Sequence, residues 1–172
     1  MRDNPLRFFT HDRLDLVVKY RFFEMLLRGL GAPDVEAMYV KHILARTGGI
    51  EPGKSAKTTI DQYLASARVL LENMRQTGFD ATAPVPVDQW GRLRDGAHRT
   101  ACAAVLGQQI EISYVKAHYP IRQWGIDWFL ANGFSRKYVN GLLDHMNLIT
   151  GYSNGATEVS DPKPATRTSI GS

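Results

Sequence analysis

The sequence predicts an α/β chain of the α+β kind, a small mixed sheet with helices gathered around it. Three observations carry this expectation. Several long stretches repeat apolar residues at helical spacing and stop at glycine. Short β-type runs lie at 85–88 and 110–115. Between them, a run of small residues from Ala97 to Leu106 follows a turn and ends at Gly107, as a compact helix between two strands does. At 172 residues the chain is long enough for one domain, or one domain with a helical addition.

The first helix spans 12–28, where Leu14, Val17, Val18, Phe22, Met25 and Leu26 form a broad apolar face closed by Gly29 and Gly31. Asp34 is placed to cap a second, with Val35, Met38, Tyr39, His42 and Ile43 on one face and Gly48-Gly49 as its stop. A polar loop follows. The third helix begins at the capping-box pattern Thr59-Ile60-Asp61-Gln62, carries Ile60, Leu64, Ala67, Leu71 and Met74, and ends at Gly78. Strands at 85–88 and 92–95 flank a turn at Gly91, the compact helix covers 97–106, and a strand runs from Ile110 to Val115. Helices near 121–131 and 136–148 follow, the second with Val139, Leu142, Leu143 and Met146 on one face. From Tyr152 the chain lacks periodicity and reads as a mobile tail.

Twenty-one basic against seventeen acidic residues leave a charge of +4, too weak and dispersed to argue for nucleic acid. The single cysteine, Cys102, excludes an internal disulfide and a cysteine-built metal site; among alanines it reads as a small buried hydrophobe. No run approaches the roughly 20 apolar residues of a membrane span. A cytoplasmic protein is the expectation, and the sequence allows a homodimer.

Asp95-Gly96-Ala97-His98-Arg99 is the most informative stretch. One fixed cation, and a second if His98 is protonated, sits in the first turn of a helix, where the free N–H groups already make the end positive. An anion in front of the helix, held by the backbone of Ala97 to Thr100 and by Arg99, resolves that conflict. Gly96 lets a ligand approach the backbone. The plainer alternative pairs Arg99 with Asp95 or another carboxylate.

Gly48-Gly49-Ile50-Glu51-Pro52-Gly53-Lys54-Ser55 matches the phosphate-loop pattern G-x-x-x-x-G-K-S. The segment feeding it has helical rather than strand periodicity, and Pro52 removes an N–H from the cradle. A phosphate loop of that class is therefore set aside, while Lys54 and Ser55 remain candidates for phosphate contact in another geometry.

The order of these features resembles the ParB/sulfiredoxin superfamily of nucleotide-binding domains. The resemblance rests on the Pro-containing loop, the helix ending Asn73-Met74-Arg75-Gln76-Thr77-Gly78-Phe79, Pro84-Val85-Pro86-Val87, the hairpin, Gly96-Ala97-His98-Arg99 and the helix to Leu106-Gly107. It covers about residues 49–116 and implies that core, with an N-terminal helical extension (1–48), packed C-terminal helices (117–150) and a flexible tail (151–172). In this superfamily the Gly-x-x-Arg segment grips nucleotide phosphates at a helix N-terminus. Position 97 is alanine, so the cysteine of sulfiredoxin chemistry is absent, and the second basic residue usual in partition proteins is missing. The segment is closest to the free-serine-kinase form.

The resemblance thus implies an ATP-dependent kinase, with Mg2+ bound mainly through the nucleotide, acting on a hydroxyl of an amino acid, sugar or cyclitol. The alternative is a non-catalytic ParB-like switch that binds CTP or ATP and a DNA or protein partner. Glu51 matches the kinase carboxylate by order and is the favoured general base, with a solvated loop charge as its other reading. Asp95 is either a catalytic group or the helix N-cap. His98 either donates to phosphate or packs over the hairpin. His42 reads as a hydrogen-bonded core histidine, and Trp124, Trp128 and Phe129 as core or pocket wall.

Overall fold

The computed structural model describes residues 1–50, 57–118 and 124–151. In chain order the elements are β1 (Arg2–Asp3), a 3-10 turn (Pro5–Phe8), α1 (Leu14–Arg28), α2 (Pro33–Thr47), α3 (Ile60–Thr77), β2 (Val85–Asp88), α4 (Ala97–Val105), β3 (Ile110–Val115), α5 (Ile126–Ala131) and α6 (Arg136–Thr150). The class is α+β: among the described residues, six helices stand around a three-stranded mixed sheet of order β1-β3-β2.

Strand β3 is central. It pairs parallel with β2, Val85 opposite Ile112 and Asp88 opposite Val115, and antiparallel with β1, Arg2 opposite Glu111. A parallel pair needs a crossover, and α4 supplies it. Val85, Val87, Ile110 and Ile112 point their side chains into the core. Helix α1 packs against α2, α4 and α6. The buried face of α4 consists of Thr100, Ala101, Cys102 and Ala103, short side chains that leave room for the bulky Phe22 and Phe23 of α1.

Local chemistry sets the helix ends. The capping box of α3 is present: Thr59 accepts from the Gln62 N–H, and the Gln62 side chain accepts from the Thr59 N–H. The start of α2 differs from expectation. Pro33 occupies the first helical position, with Ala32 as N-cap, so Asp34 lies inside the first turn and acts through the helix dipole.

Other expectations are corrected. Residues 92–95 form no strand; a single bridge joins Val87 and Leu93, flanked by hydrogen bonds from Asp88 N to Arg92 O and from Arg94 N to Pro86 O. Pro86 has no N–H to return to Arg94, so the ladder stops there. The fifth helix begins at Ile126 rather than 121, with 119–123 outside the described residues. Residues 1–48 supply a sheet strand, β1, as well as the helices α1 and α2 expected there. One continuous buried cluster runs from Phe8 through Val85 and Ile110 to Met146. The expected tail from Tyr152 lies outside the described residues.

Because Ala101 is completely buried where α4 meets the rest of the core, Ala101→Leu overfills it. Its urea-unfolding midpoint is expected to fall by the equivalent of about 1–3 kcal/mol. An unchanged midpoint would mean that this interface is loosely packed.

Candidate functional site

The start of α4 is built without a cap. Gly96 is the N-cap residue at φ 79°, no side-chain cap bond is made to the free N–H groups behind it among the described residues, and the first turn holds no acidic residue. Asp95 is therefore not the N-cap, in contrast to one expectation from sequence. A Cβ at position 96 would lie 3.1 Å from Arg99 Nη2 and 3.3 Å from a Val85 methyl, so glycine is required both for the left-handed backbone and for the space. Arg99 folds back over Gly96 and donates through Nη1 to the Ala83 carbonyl. It forms no ion pair with Asp95 among the described residues, and the lowered pKa of exposed Asp80 reflects Thr82 hydrogen bonds first and Arg99 only last.

This helix end opens onto a cavity of about 410 Å3. Four arginines line it, Arg13, Arg46, Arg94 and Arg99, together with Asp95 and His98. Asp95 is the only carboxylate among the described lining residues. Trp124 forms part of the wall, with the guanidinium carbons of Arg13 and Arg46 at 5.2 Å and 4.9 Å from its ring centroid. Gly125 allows this arrangement: a Cβ there would stand 2.7 Å from the His11 carbonyl oxygen. The close backbone approach is fixed by Trp124 N donating to Asp12 O and Leu14 N to Trp124 O.

Behind the cavity lies an ion cluster that sequence reasoning missed. Asp15 and Lys19 are completely buried, and Arg13 nearly so. Arg13 donates to both carboxylate oxygens of Asp15, at 2.8 Å from Nε and 3.2 Å from Nη2, and from Nη1 to Leu93 O at 3.2 Å. Lys19 donates to Asp15 Oδ2 at 2.9 Å and to the Asp15 carbonyl at 3.1 Å. Burial pushes the Asp15 carboxyl up, but the charges of Lys19 and Arg13 outweigh it and hold the group well below its usual range. Burial, with Arg46 and Arg13 nearby, brings Lys19 down to about 8 against the pull of Asp15. The available signal was two charges at i, i+4 spacing within an otherwise apolar helical stretch.

His98 is not a second cation. Burial first, then Lys19, Arg46 and Lys57, push its pKa well below the ordinary value, with only Asp15 opposing. Its Nε2 shares a 2.9 Å hydrogen bond with the Tyr39 hydroxyl, and Tyr39 stacks on Phe22. His98 thus faces the cavity as a neutral imidazole fixed from behind. His42 is a core residue whose two buried ring nitrogens have no hydrogen-bond partner among the described residues, beside Phe129 and Trp128. Burial and then Lys19 hold it neutral.

The structure brings together Asp95, Gly96, Ala97, His98 and Arg99 on one cavity. Thr100 is not with them; it is fully buried and donates its hydroxyl to the Gly96 carbonyl, tightening the first turn. Glu51, Lys54 and Ser55 lie outside the described residues. The segment before them is helix α2 rather than a strand, as the rejection of a phosphate loop required. Trp124 is cavity wall, whereas Phe129 is core. Cys102 is buried, its thiol pushed up to about 12 by desolvation, and is unreactive. Among the described residues no group of three or more His, Cys, Asp or Glu is arranged to hold a metal.

The two neutral histidines set a pH dependence. Their folded pKa values lie below the unfolded value of 6.5, so as pH falls below 6.5 the unfolded chain takes up protons that the folded chain refuses. Stability is expected to be lost below that pH, by up to about 1.4 kcal/mol per pH unit for each such proton. Denaturant melts from pH 7 to 5 test this, with His42→Phe expected to flatten the slope; a wild-type midpoint independent of pH would contradict the assignment. Set against protein-family models, curated proteins and solved structures, the chain matches none, and the chemistry of the site rests on its own residues.

Proposed function

We propose that the cavity binds ATP by its phosphates, with Mg2+, and that the protein transfers a phosphoryl group to a hydroxyl of an amino acid, sugar or cyclitol. The observation that carries this reading is the convergence of an uncapped helix start and four arginines on one cavity holding a single described carboxylate. Cations collected around a positive helix end repel one another, and a polyanion relieves that repulsion. The volume of about 410 Å3 falls in the ordinary range for small-molecule sites.

In this reading the N–H groups of Ala97 to Arg99 and the Arg99 guanidinium hold phosphate oxygens. Arg94, whose Nη1 lies 3.7 Å from buried Asp88, adds positive charge to the same wall. Neutral His98 offers Nδ1 to the ligand while Tyr39 engages Nε2. Magnesium carried mainly by the nucleotide would supply neutralisation of phosphate charge, and Asp95 is the described carboxylate of the cavity that would face it. Phosphoryl transfer is then chiefly positioning and charge stabilisation, completed by a carboxylate that accepts the acceptor's hydroxyl proton. Glu51 is the proposed base, with Asp95 as the described carboxylate on the cavity wall.

Calorimetry with ATP, ADP and CTP in magnesium tests the binding claim. Arg99→Gln is expected to weaken ATP binding at least tenfold; equal binding by wild type and variant would remove the central support. CTP binding far tighter than ATP would favour the ParB-like switch instead. Glu51→Gln separates the next step, with ATP affinity expected within about threefold of wild type and phosphoryl transfer reduced by about 10²-fold or more. Full transfer activity in Glu51→Gln, together with its loss in Asp95→Asn, would move the base to Asp95.

A further inference from the structure

His98 is held in place by two helices far from it in sequence. Tyr39 lies on the buried face of α2, only 1% exposed, and its ring stacks on Phe22 of α1 with centroids 4.0 Å apart and 6° between the planes. Its hydroxyl shares a 2.9 Å hydrogen bond with His98 Nε2. Phe23, also on α1, stands at 88° to the imidazole with centroids 6.4 Å apart. The ring is thus pinned from behind, while His98 itself lines the cavity. Among the described residues Nδ1 makes no hydrogen bond, so it is the nitrogen left for a ligand.

A neutral imidazole carries one proton, and the bond made by one nitrogen decides which of the two bears it. The two directions of the Tyr39 bond therefore give the cavity opposite chemistry. Were Nε2–H to donate to the phenol oxygen, Nδ1 would hold a bare lone pair, which accepts from a ligand hydroxyl or ammonium and repels an oxyanion. When the phenol donates to Nε2, Nδ1 keeps the proton and is a donor. A phenol is a stronger acid than a neutral imidazole N–H, and an imidazole nitrogen is a stronger base than a phenol oxygen, so the second direction makes the stronger bond. An oxyanion drawn in by Arg94 and Arg99, which line the same cavity, then meets an N–H.

We infer that Tyr39 is a positioning residue: by donating its hydroxyl proton to His98 Nε2 it fixes the Nδ1–H tautomer, and the cavity thereby selects oxyanions over ligands that present a donor at that point. This rests on the anion reading of the cavity and adds to the proposed ATP site a residue of α2 that lies outside the cavity lining. It also assigns His98 one role, a donor to phosphate rather than the base that takes the hydroxyl proton.

Two-bond proton–nitrogen correlation spectra of the ligand-free protein at neutral pH read the tautomer directly, with His98→Gln to assign the signals. The wild type is expected to carry its imidazole proton on Nδ1. Tyr39→Phe keeps the ring and its stack on Phe22 but removes the donor. It is expected to shift the population toward Nε2–H and to weaken pyrophosphate binding by about threefold or more, and a circular dichroism melt establishes that it is folded. An Nε2–H tautomer in the wild type overturns the inference, as does a Tyr39→Phe protein with wild-type tautomer and wild-type pyrophosphate affinity. Pyrophosphate binding that depends on Tyr39, in a protein that binds no ATP analogue, would refute the ATP reading and leave this assignment standing. Binding of the analogue by a wild type in the Nε2–H tautomer would do the reverse.

Discussion

Asp15 is shut away from water between two cations, and the placement of the cavity depends on it. A carboxylate buried alone would be strongly destabilising; here Lys19, one helical turn onward, and Arg13, just before the helix, neutralise it. The Arg13 link to Leu93 ties the start of α1 to the segment that leads into α4. The fixed guanidinium of Arg13 then seats Trp124, and Arg46 rests on the same ring. One buried ion cluster therefore orients two of the cavity's four arginines and spaces the elements that carry the others. Removing one member of such a cluster leaves an uncompensated buried charge and typically costs about 3–5 kcal/mol.

The electrostatics of the cavity point one way. Lys19, Arg46 and Lys57 all disfavour a charge on His98, which burial already disfavours, so the imidazole stays neutral. A protein that concentrates arginines at a helix start and keeps His98 neutral beside them has made the region hard to fill with further cations and easy to fill with an anion. Opposite charge is supplied at the rear by Asp15 and Asp88, both buried, and at the front only by exposed Asp95 among the described lining residues. The rear carboxylates stabilise the arginines without occupying the space in front of them.

Much of this was legible from local signals. Helix periodicity and glycine stops located α1, α2, α3 and α6, and the Thr59–Gln62 capping box was readable to the residue because it is wholly local. The start of α4 was legible as a helix N-terminus with Gly96 before it and Arg99 in its first turn, whereas the second charge allowed at His98 is absent. What escaped depended on contacts distant in sequence. The neutrality of His98 comes from burial first and then from Lys19, Arg46 and Lys57, residues distant from it in the chain. The role of Arg13 requires Leu93 and Trp124, and β1 is strand only because β3 lies beside it. Pro86 was visible, but which of its neighbours needed the missing N–H was not.

The most direct measurement is a crystal structure of the protein with a non-hydrolysable ATP analogue and magnesium. The account predicts phosphate oxygens within hydrogen-bond distance of the Ala97, His98 and Arg99 amides, with the Arg99 side chain turned from the Ala83 carbonyl onto the phosphates. Phosphates bound away from α4, or an Arg99 still donating to Ala83 beside a fully occupied nucleotide, would contradict it.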